Sequence, residues 1–340
     1  MSKQTEHKMI DKKSAQSSML KWLVVLGLFV FVCIKNKTLM QEAVAQFTSM
    51  ELWKLLLCIG LGNLYFVIEG IVISVMTKSC EKHLHVGQGI FCAYLCMFYR
   101  IATLGSGSGI AQVLYYNLRG IRVSIGTGMS LVQYSFHKIS IAVLGVTAFI
   151  GLWLWGDRDI QEYAIFMLAG AVVIGAICIF LIVVTVSQKF SDFVFGIGEK
   201  LIKKTSKLYP KLEQGRTSVG YLQEQGRIIW KDKKLFLTVI ILDLIKLSCW
   251  YMIPGVYFAG DFSAPFVVCL ALMAICNMVG CVMLAPSGIG TLDFVVTLFF
   301  TSVVADQSAI AAALVAYRIA TWLVPFLIGV IPALLVKKSE

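Results

Sequence analysis

Apolar runs dominate this chain, at about 20–35, 51–76, 88–104, 109–118, 124–155, 162–188, 235–259, 262–284, 291–304 and 307–336. Polar residues are largely confined to the gaps. Most of these runs approach or exceed the roughly 20 residues a helix needs to cross a bilayer. Four of them are short or closely coupled, and a glycine-rich break separates each pair. One break reads Leu104-Gly105-Ser106-Gly107-Ser108-Gly109, the other Ala285-Pro286-Ser287-Gly288-Ile289-Gly290. Lipid offers no water to exposed backbone groups, so an interrupted helix at membrane depth persists only where protein or a wet cavity covers it. The pattern therefore predicts two re-entrant hairpins, 88–104 with 109–118 and 266–284 with 291–304. About six full spans remain, the first a rather short one at 20–34. Paired breaks in two halves of a chain point to a transport site.

A single displacement along the chain relates the halves. The shift that carries Ser106-Gly107-x-Gly109 onto Ser287-Gly288-x-Gly290 also carries Gln112 onto Asp293, His137 onto Arg318, and 52–76 onto 233–257. The halves run over about 20–155 and 162–336, within a membrane domain of 20–336. The expected architecture is an all-α polytopic integral membrane protein with an inverted repeat.

Charge orients the layout. Basic residues fall in the tail 1–19, in the loop with Lys78 and Lys82, at Arg119 and Arg122, along the connection 189–234 and in the tail 337–340. All lie on one side if the two hairpins enter from opposite faces, which by the positive-inside rule puts both termini in the cytoplasm. The opposite loops hold Asp157, Arg158, Asp159 and Glu162, then Asp261, then Asp306; 35–54 is mixed. Within the connection, 190–209 reads as an amphipathic helix on the inner leaflet or as a solvated linker.

Composition agrees. The 340 residues are 58% hydrophobic and 14% charged, with a mean hydropathy of +0.82. A soluble domain sits nearer ~25% charged. The net charge of +11 lies in loops and implies no nucleic-acid partner. Most of the ten cysteines sit in apolar runs as small filler. Cys80-x-x-His83-x-His85 lacks a second ligand pair, so no metal is expected. Gly105-x-Gly107-x-Gly109 lacks the strand and Lys-Ser/Thr ending of a phosphate-binding loop. No nucleophile triad or cofactor motif accompanies it.

Ionisable groups inside spans are costly and usually functional. The candidates are Glu69, His137, Asp243, Lys246, Asp293 and Arg318, with Asn63, Gln112, Gln133 and Asn277 as polar companions. Asp293, three residues past Gly290, either caps a helix or meets a headgroup or proton. Arg318 needs Asp293, a carbonyl or a lipid phosphate as partner. Asp243 and Lys246 are i, i+3 on one helix and can neutralise each other. Glu69 has no partner within its own span. His137 reads as a packed or titrating group. Gly105, Gly107, Gly109, Gly288 and Gly290 permit tight turns and close approach, and Pro286 removes a donor.

At these residues the chain resembles the membrane region of lysylphosphatidylglycerol synthase/flippase proteins. The segments that carry the resemblance are 104–123, Pro286-Ser287-Gly288-Ile289-Gly290-Thr291-Leu292-Asp293, and Ala316-Tyr317-Arg318-Ile319 with Pro325 and Gly329. Family members commonly carry Glu at the positions of Gln112 and Asp293, and Arg at that of His137. The resemblance implies translocation of a phospholipid, aminoacylated or not, or of a glycolipid. The aminoacyl-transferase domain of full-length members is expected to be absent, so an enzyme is not expected. Two alternatives stay open. One is an ion-coupled small-solute transporter. The other is the membrane component of a phosphatidylglycerol lysyltransferase system linked to cationic-peptide resistance. A separate synthase or glycosyltransferase partner and self-association are also left open.

Overall fold

The structure, a computed structural model, describes residues 37–78, 80, 82–103, 105, 107–155, 164–201, 209–260, 265–281 and 290–339. Every regular element among them is helical. The expected first span at 20–34, Pro286 and Gly288 lie outside the described residues.

The first half contains α1 (Lys37–Thr48), α2 (Leu52–Thr77), α3 (Val86–Ala102), α4 (Ser108–Leu118) and α5 (Val123–Trp155). Next come α6 (Ala164–Val186), α7 (Gln188–Leu201) and α8 (Tyr209–Lys231). The second half has α9 (Lys233–Tyr257), α10 (Phe266–Gly280), α11 (Thr291–Phe300), α12 (Gln307–Arg318), a π turn (Ile319–Leu323) and α13 (Val324–Ser339). Among the described residues, five stretches are long and apolar enough to cross a membrane, namely α2, α5, α6, α9 and α12 through α13. They coincide with five of the six expected spans. The short α3, α10 and α11 are apolar hairpin limbs.

Helix starts obey the predicted displacement. Shifted by it, the starts of α2, α3, α4 and α5 fall at 233, 267, 289 and 304; α9, α10, α11 and α12 begin at 233, 266, 291 and 307. The halves are inverted, because α2 and α9 pack antiparallel. Lys54 Nζ donates to the Ala259 carbonyl, Trp250 Nε1 to the Gly62 carbonyl, and Lys246 Nζ to Glu69. The chain number rises along one helix as it falls along the other. Each hairpin packs on the last span of the opposite half: α3 on α13 and α10 on α5. Phe98 stacks on Phe326 with ring centroids 5.3 Å apart. At the displaced pair of positions, Gly145 leaves room for Met278, next to Val279.

Small residues let the backbones approach, the usual basis of helix packing in lipid. A Cβ on Gly89 would strike the Gly70 carbonyl, and one on Gly62 the Ala320 carbonyl. The π turn precedes Pro325, which has no N–H and crowds the carbonyl four residues back; the helix relieves that by widening one turn.

Several expectations are corrected. The segment 35–54 contains α1, which packs on α12 through Gln46, whose Nε2 donates to Asp306 Oδ2 and Ser308 Oγ at 2.6 and 2.7 Å. The connection 189–234 is largely helical, and α8 packs on α5 because Gly128 lies against the Leu222 backbone. Of the stretch 190–209, residues up to Leu201 belong to α7, with Phe193, Val194 and Ile197 exposed, and 202–208 lie outside the described residues. The tail 337–340 continues α13 as far as Ser339.

Gly89→Ala should cost about 1–3 kcal/mol by overpacking. Gly87→Ala, in open space two residues away, should be neutral or mildly stabilising. Thermal unfolding in detergent compares them, and equal melting temperatures would rule out the close α2–α3 approach. Asp306 caps α12, accepting from Ser308 N at 2.8 Å and Ala309 N at 3.4 Å. Hydrogen bonds from Ser308 and Gln46 hold its carboxyl below the usual carboxylate range. Its stabilisation is therefore full above about pH 4 and is lost as pH falls through the depressed value. Asp306→Ala should cost about 1 kcal/mol at neutral pH and converge with the parent in acid, as read from paired pH–melting curves.

Candidate functional site

Lys246 lies close to the middle of α9, which runs from Lys233 to Tyr257. At 1.5 Å per residue that is about 17–20 Å from either helix end. An ammonium at this depth requires opposite charge. Asp243, one turn earlier on the same helix, lies 2.5 Å from it, and Glu69 of α2 also lies 2.5 Å away. Lys246 and Asp243 are fully enclosed at 1% and 0% side-chain exposure, while Glu69 remains 22% exposed. The sequence expectation of an Asp243–Lys246 pair becomes a triad, and Glu69 finds its partner in the opposite half of the chain.

The polar contacts continue into the first hairpin. Gln133 Nε2 of α5 donates to Glu69 Oε1 at 2.7 Å. Gln112 Nε2 of α4 donates to Gln133 Oε1 at 2.7 Å and to the Tyr116 hydroxyl at 2.9 Å. Four helices thus meet in one relay running from Tyr116 through Gln112, Gln133, Glu69 and Lys246 to Asp243. Each carboxyl oxygen of Glu69 has a donor, whereas Asp243 Oδ2 has none among the described residues. With every group ionised, the triad holds two negative charges against one positive. It can accept a proton or a cation.

The Lys246 end of this relay sits at the pseudo-symmetry axis. The displacement that relates the halves carries Tyr65 onto Lys246 and Glu69 onto Trp250. Lys246 Nζ lies 5.3 Å from the Tyr65 ring centroid, so the two equivalent positions touch. Tyr65 stacks on Trp250 at 3.7 Å, the counterpart of the Glu69–Lys246 ion pair. The same register therefore holds charge on one side of the axis and aromatic rings on the other.

A second ionic site belongs to the other hairpin. Gly290 takes φ +81°, a conformation that favours glycine, and begins α11. Asp293 then reaches back, its Oδ2 accepting the Gly290 N–H at 3.0 Å. Arg318 grips both oxygens, Nε to Oδ1 at 2.9 Å and Nη2 to Oδ2 at 2.7 Å. Its guanidinium lies 4.7 Å from the Trp322 ring centroid, on the π turn. Asp293 is therefore both cap and salt-bridge partner. The pair remains 32% and 22% exposed.

The first hairpin differs. Gln112 occupies the register of Asp293 but binds Gln133, so it does not reach the residue equivalent to Arg318. That residue, His137, has no hydrogen bond at Nδ1 among the described residues. Among the described residues, no hydrogen bond or ion pair joins His137 to either site. Gly105 takes φ +101° and makes the turn. Gly107 permits close approach of Thr103, whose hydroxyl accepts the Gly107 N–H at 2.6 Å. Gly109 does neither: it lies inside α4 with open space around it.

Of the polar companions, Gln133 has the larger part, since it links Gln112 to Glu69; nothing in the sequence distinguished it from other span amides. Asn63 accepts from the Tyr94 hydroxyl at 2.8 Å, and the Asn277 amide donates to the Met273 carbonyl of its own helix at 2.9 Å. Sequence reasoning passed over Lys138 of α5. Its ammonium lies 3.3 Å from Cys281 Sγ, at the end of α10, and 5.2 Å from the Tyr134 ring centroid. A lysine in the middle of an apolar run was the available signal.

Lys246→Met alone should cost about 3–5 kcal/mol, since it leaves buried carboxylates without their cation. The combined Glu69→Gln, Asp243→Asn and Lys246→Met protein should recover most of that loss. Detergent melting and yield of monodisperse protein measure both; a harmless Lys246→Met would contradict the triad.

Residues 18–329 match the model of a family described as the lysylphosphatidylglycerol synthase TM region. No curated protein matches the chain.

Proposed function

The chain belongs to the lysylphosphatidylglycerol synthase transmembrane family, and from that premise we propose that it moves an amphipathic lipid between membrane leaflets. The substrate class is a phospholipid, such as phosphatidylglycerol or its lysylated form, or a glycolipid. The observation that carries this reading is the partly exposed Asp293–Arg318 pair at the start of a hairpin limb inside an inverted repeat. A headgroup bearing phosphate and ammonium is complementary to such a pair: the guanidinium binds phosphate in bidentate fashion and the carboxylate binds ammonium. Exchange of the internal ion pair for headgroup contacts keeps every charge neutralised, while acyl tails stay in lipid. Glu69, at the exposed edge of the central triad, is the further contact for a headgroup or proton.

In this reading the protein sits in the cell membrane with both termini cytoplasmic, as the positive-inside rule directs. A separate enzyme that makes the lipid is its natural supplier. A second reading, an ion-coupled transporter of a small solute, is favoured by the surplus carboxylate of the triad, which a proton or small cation would balance.

The test is reconstitution into proteoliposomes carrying fluorescent phosphatidylglycerol, lysyl-phosphatidylglycerol or a glycolipid. The parent protein should translocate lipid with headgroup preference, and folded Asp293→Asn should be at least about tenfold slower, consistent with loss of a charge-assisted bidentate pair. Folded protein that moves none of the three lipids would overturn the proposal. Solute uptake driven by a proton gradient would then favour the second reading.

A further inference from the structure

The end of the basic loop between α2 and α3 is anchored to both helices. Leu84 is 2% exposed and is held at both backbone groups: Ser74 Oγ donates to its carbonyl at 2.7 Å, and its N–H donates to Thr77 Oγ1 at 3.1 Å. Gln88 Oε1 accepts the His85 N–H at 3.1 Å and closes the start of α3. The loop from the other end of the hairpin, after α4, folds against it. Gly120 takes φ +84°, and a Cβ there would meet the Lys82 side chain. Between the loops lies an open cavity of about 390 Å³ lined by Lys82, His83, Leu84, His85, Gln88 and Arg119. That volume is within the ~300–1,000 Å³ typical of small-molecule sites.

The cavity's described lining carries two cations, Lys82 and Arg119, and no carboxylate. Loops 78–85 and 119–122 carry Lys78, Lys82, Arg119 and Arg122 against one acid, Glu81. Neither Lys82 nor Arg119 has an ion-pair partner among the described residues. The cavity also stands at the mouth of the first hairpin, since α3 begins and α4 ends on its wall. Arg119, Tyr115 and Gln112 are spaced i, i−4 and i−7, one above another on a single face of α4. The Arg119 guanidinium lies 5.2 Å from the Tyr115 ring centroid. Seven residues of helix, about 10 Å, separate the cavity from Gln112 and hence from the central relay.

We propose that this cavity is a binding site for the phosphate of an anionic headgroup, held by Lys82 and Arg119 where the first hairpin opens to the basic side of the membrane. The proposal rests on the translocation reading for its purpose and on the cavity alone for its existence. Arg supplies a fork that matches phosphate oxygens, and Lys supplies a point charge. Basic residues beside a membrane already concentrate anionic lipid, so the mouth is where such a headgroup would first be held.

Binding to the full chain in detergent tests it, by isothermal titration with short-chain phosphatidylglycerol, short-chain phosphatidylcholine and inorganic phosphate. Phosphatidylglycerol should bind more tightly than phosphatidylcholine. Lys82→Gln with Arg119→Gln should weaken it about tenfold or more, while Lys82→Arg with Arg119→Lys retains most of the affinity. Inorganic phosphate binding as tightly as the lipid, with the same loss in the double variant, would uphold the phosphate site and identify a soluble source. Unchanged lipid and phosphate affinities in a double variant that melts like the parent would overturn the site. That result leaves proteoliposome translocation untouched, whereas intact cavity binding without translocation would overturn only the transport reading.

Discussion

One lysine organises the centre of this protein. An ammonium buried about halfway along a membrane helix is tolerable only with opposite charge supplied locally. Asp243 comes from the same helix, but Glu69 comes from the other half of the chain. Neutralising Lys246 therefore fixes the relative position of α2 and α9, the antiparallel pair around which the repeats are arranged. Gln133 and Gln112 satisfy the remaining oxygen of Glu69 and then one another. The electrostatic requirement of one side chain thus propagates into the first hairpin through ordinary amide hydrogen bonds.

The two halves share a backbone plan and divide the chemistry. Helix starts repeat at one displacement, and each hairpin leans on the opposite half's last span. The side chains at equivalent positions do not repeat. The second hairpin has a bidentate Asp293–Arg318 pair partly open to its surroundings; the first has Gln112 directed into the enclosed relay. Under the proposed lipid translocation, a route with different groups on its two sides can release a headgroup from one contact as it gains another. A symmetric set would hold it equally on both sides.

Much of this was legible in the sequence because membrane helices are specified by length and apolarity, and their breaks by glycine and proline. The hairpins and the displacement between the halves follow from that punctuation. An arginine inside a span must be paired, and Asp293 was one of three partners the sequence left open for Arg318; the structure selects it. Glu69 was visible as an anomaly, but its partner was not, because spacing along the chain carries no information about a contact between opposite halves. The register that overlays Glu69 on Trp250 says nothing of a meeting with Lys246 unless the antiparallel packing of α2 on α9 is known. The helix α1 was missed because it is short and only weakly apolar on average; it is held by Gln46, Asp306 and Ser308 rather than by hydrophobic burial alone. Gly109 was misread because glycine marks breaks only on average, and here helix begins one residue earlier.

The contact between Tyr65 and Lys246 limits how such a molecule can be built. These are the same position in the two repeats, and they face each other across the axis. Two separate, identical half-chains associating by this geometry would confront lysine with lysine, or tyrosine with tyrosine. The first would set two ammonium groups against each other where water cannot screen them; the second would leave the carboxylates with no counterion. Joining the halves in one polypeptide removes that restriction, because each copy of the position can then mutate alone. The charged centre is in this sense a property of two halves that differ in sequence, and a homodimer of either half could not reproduce it.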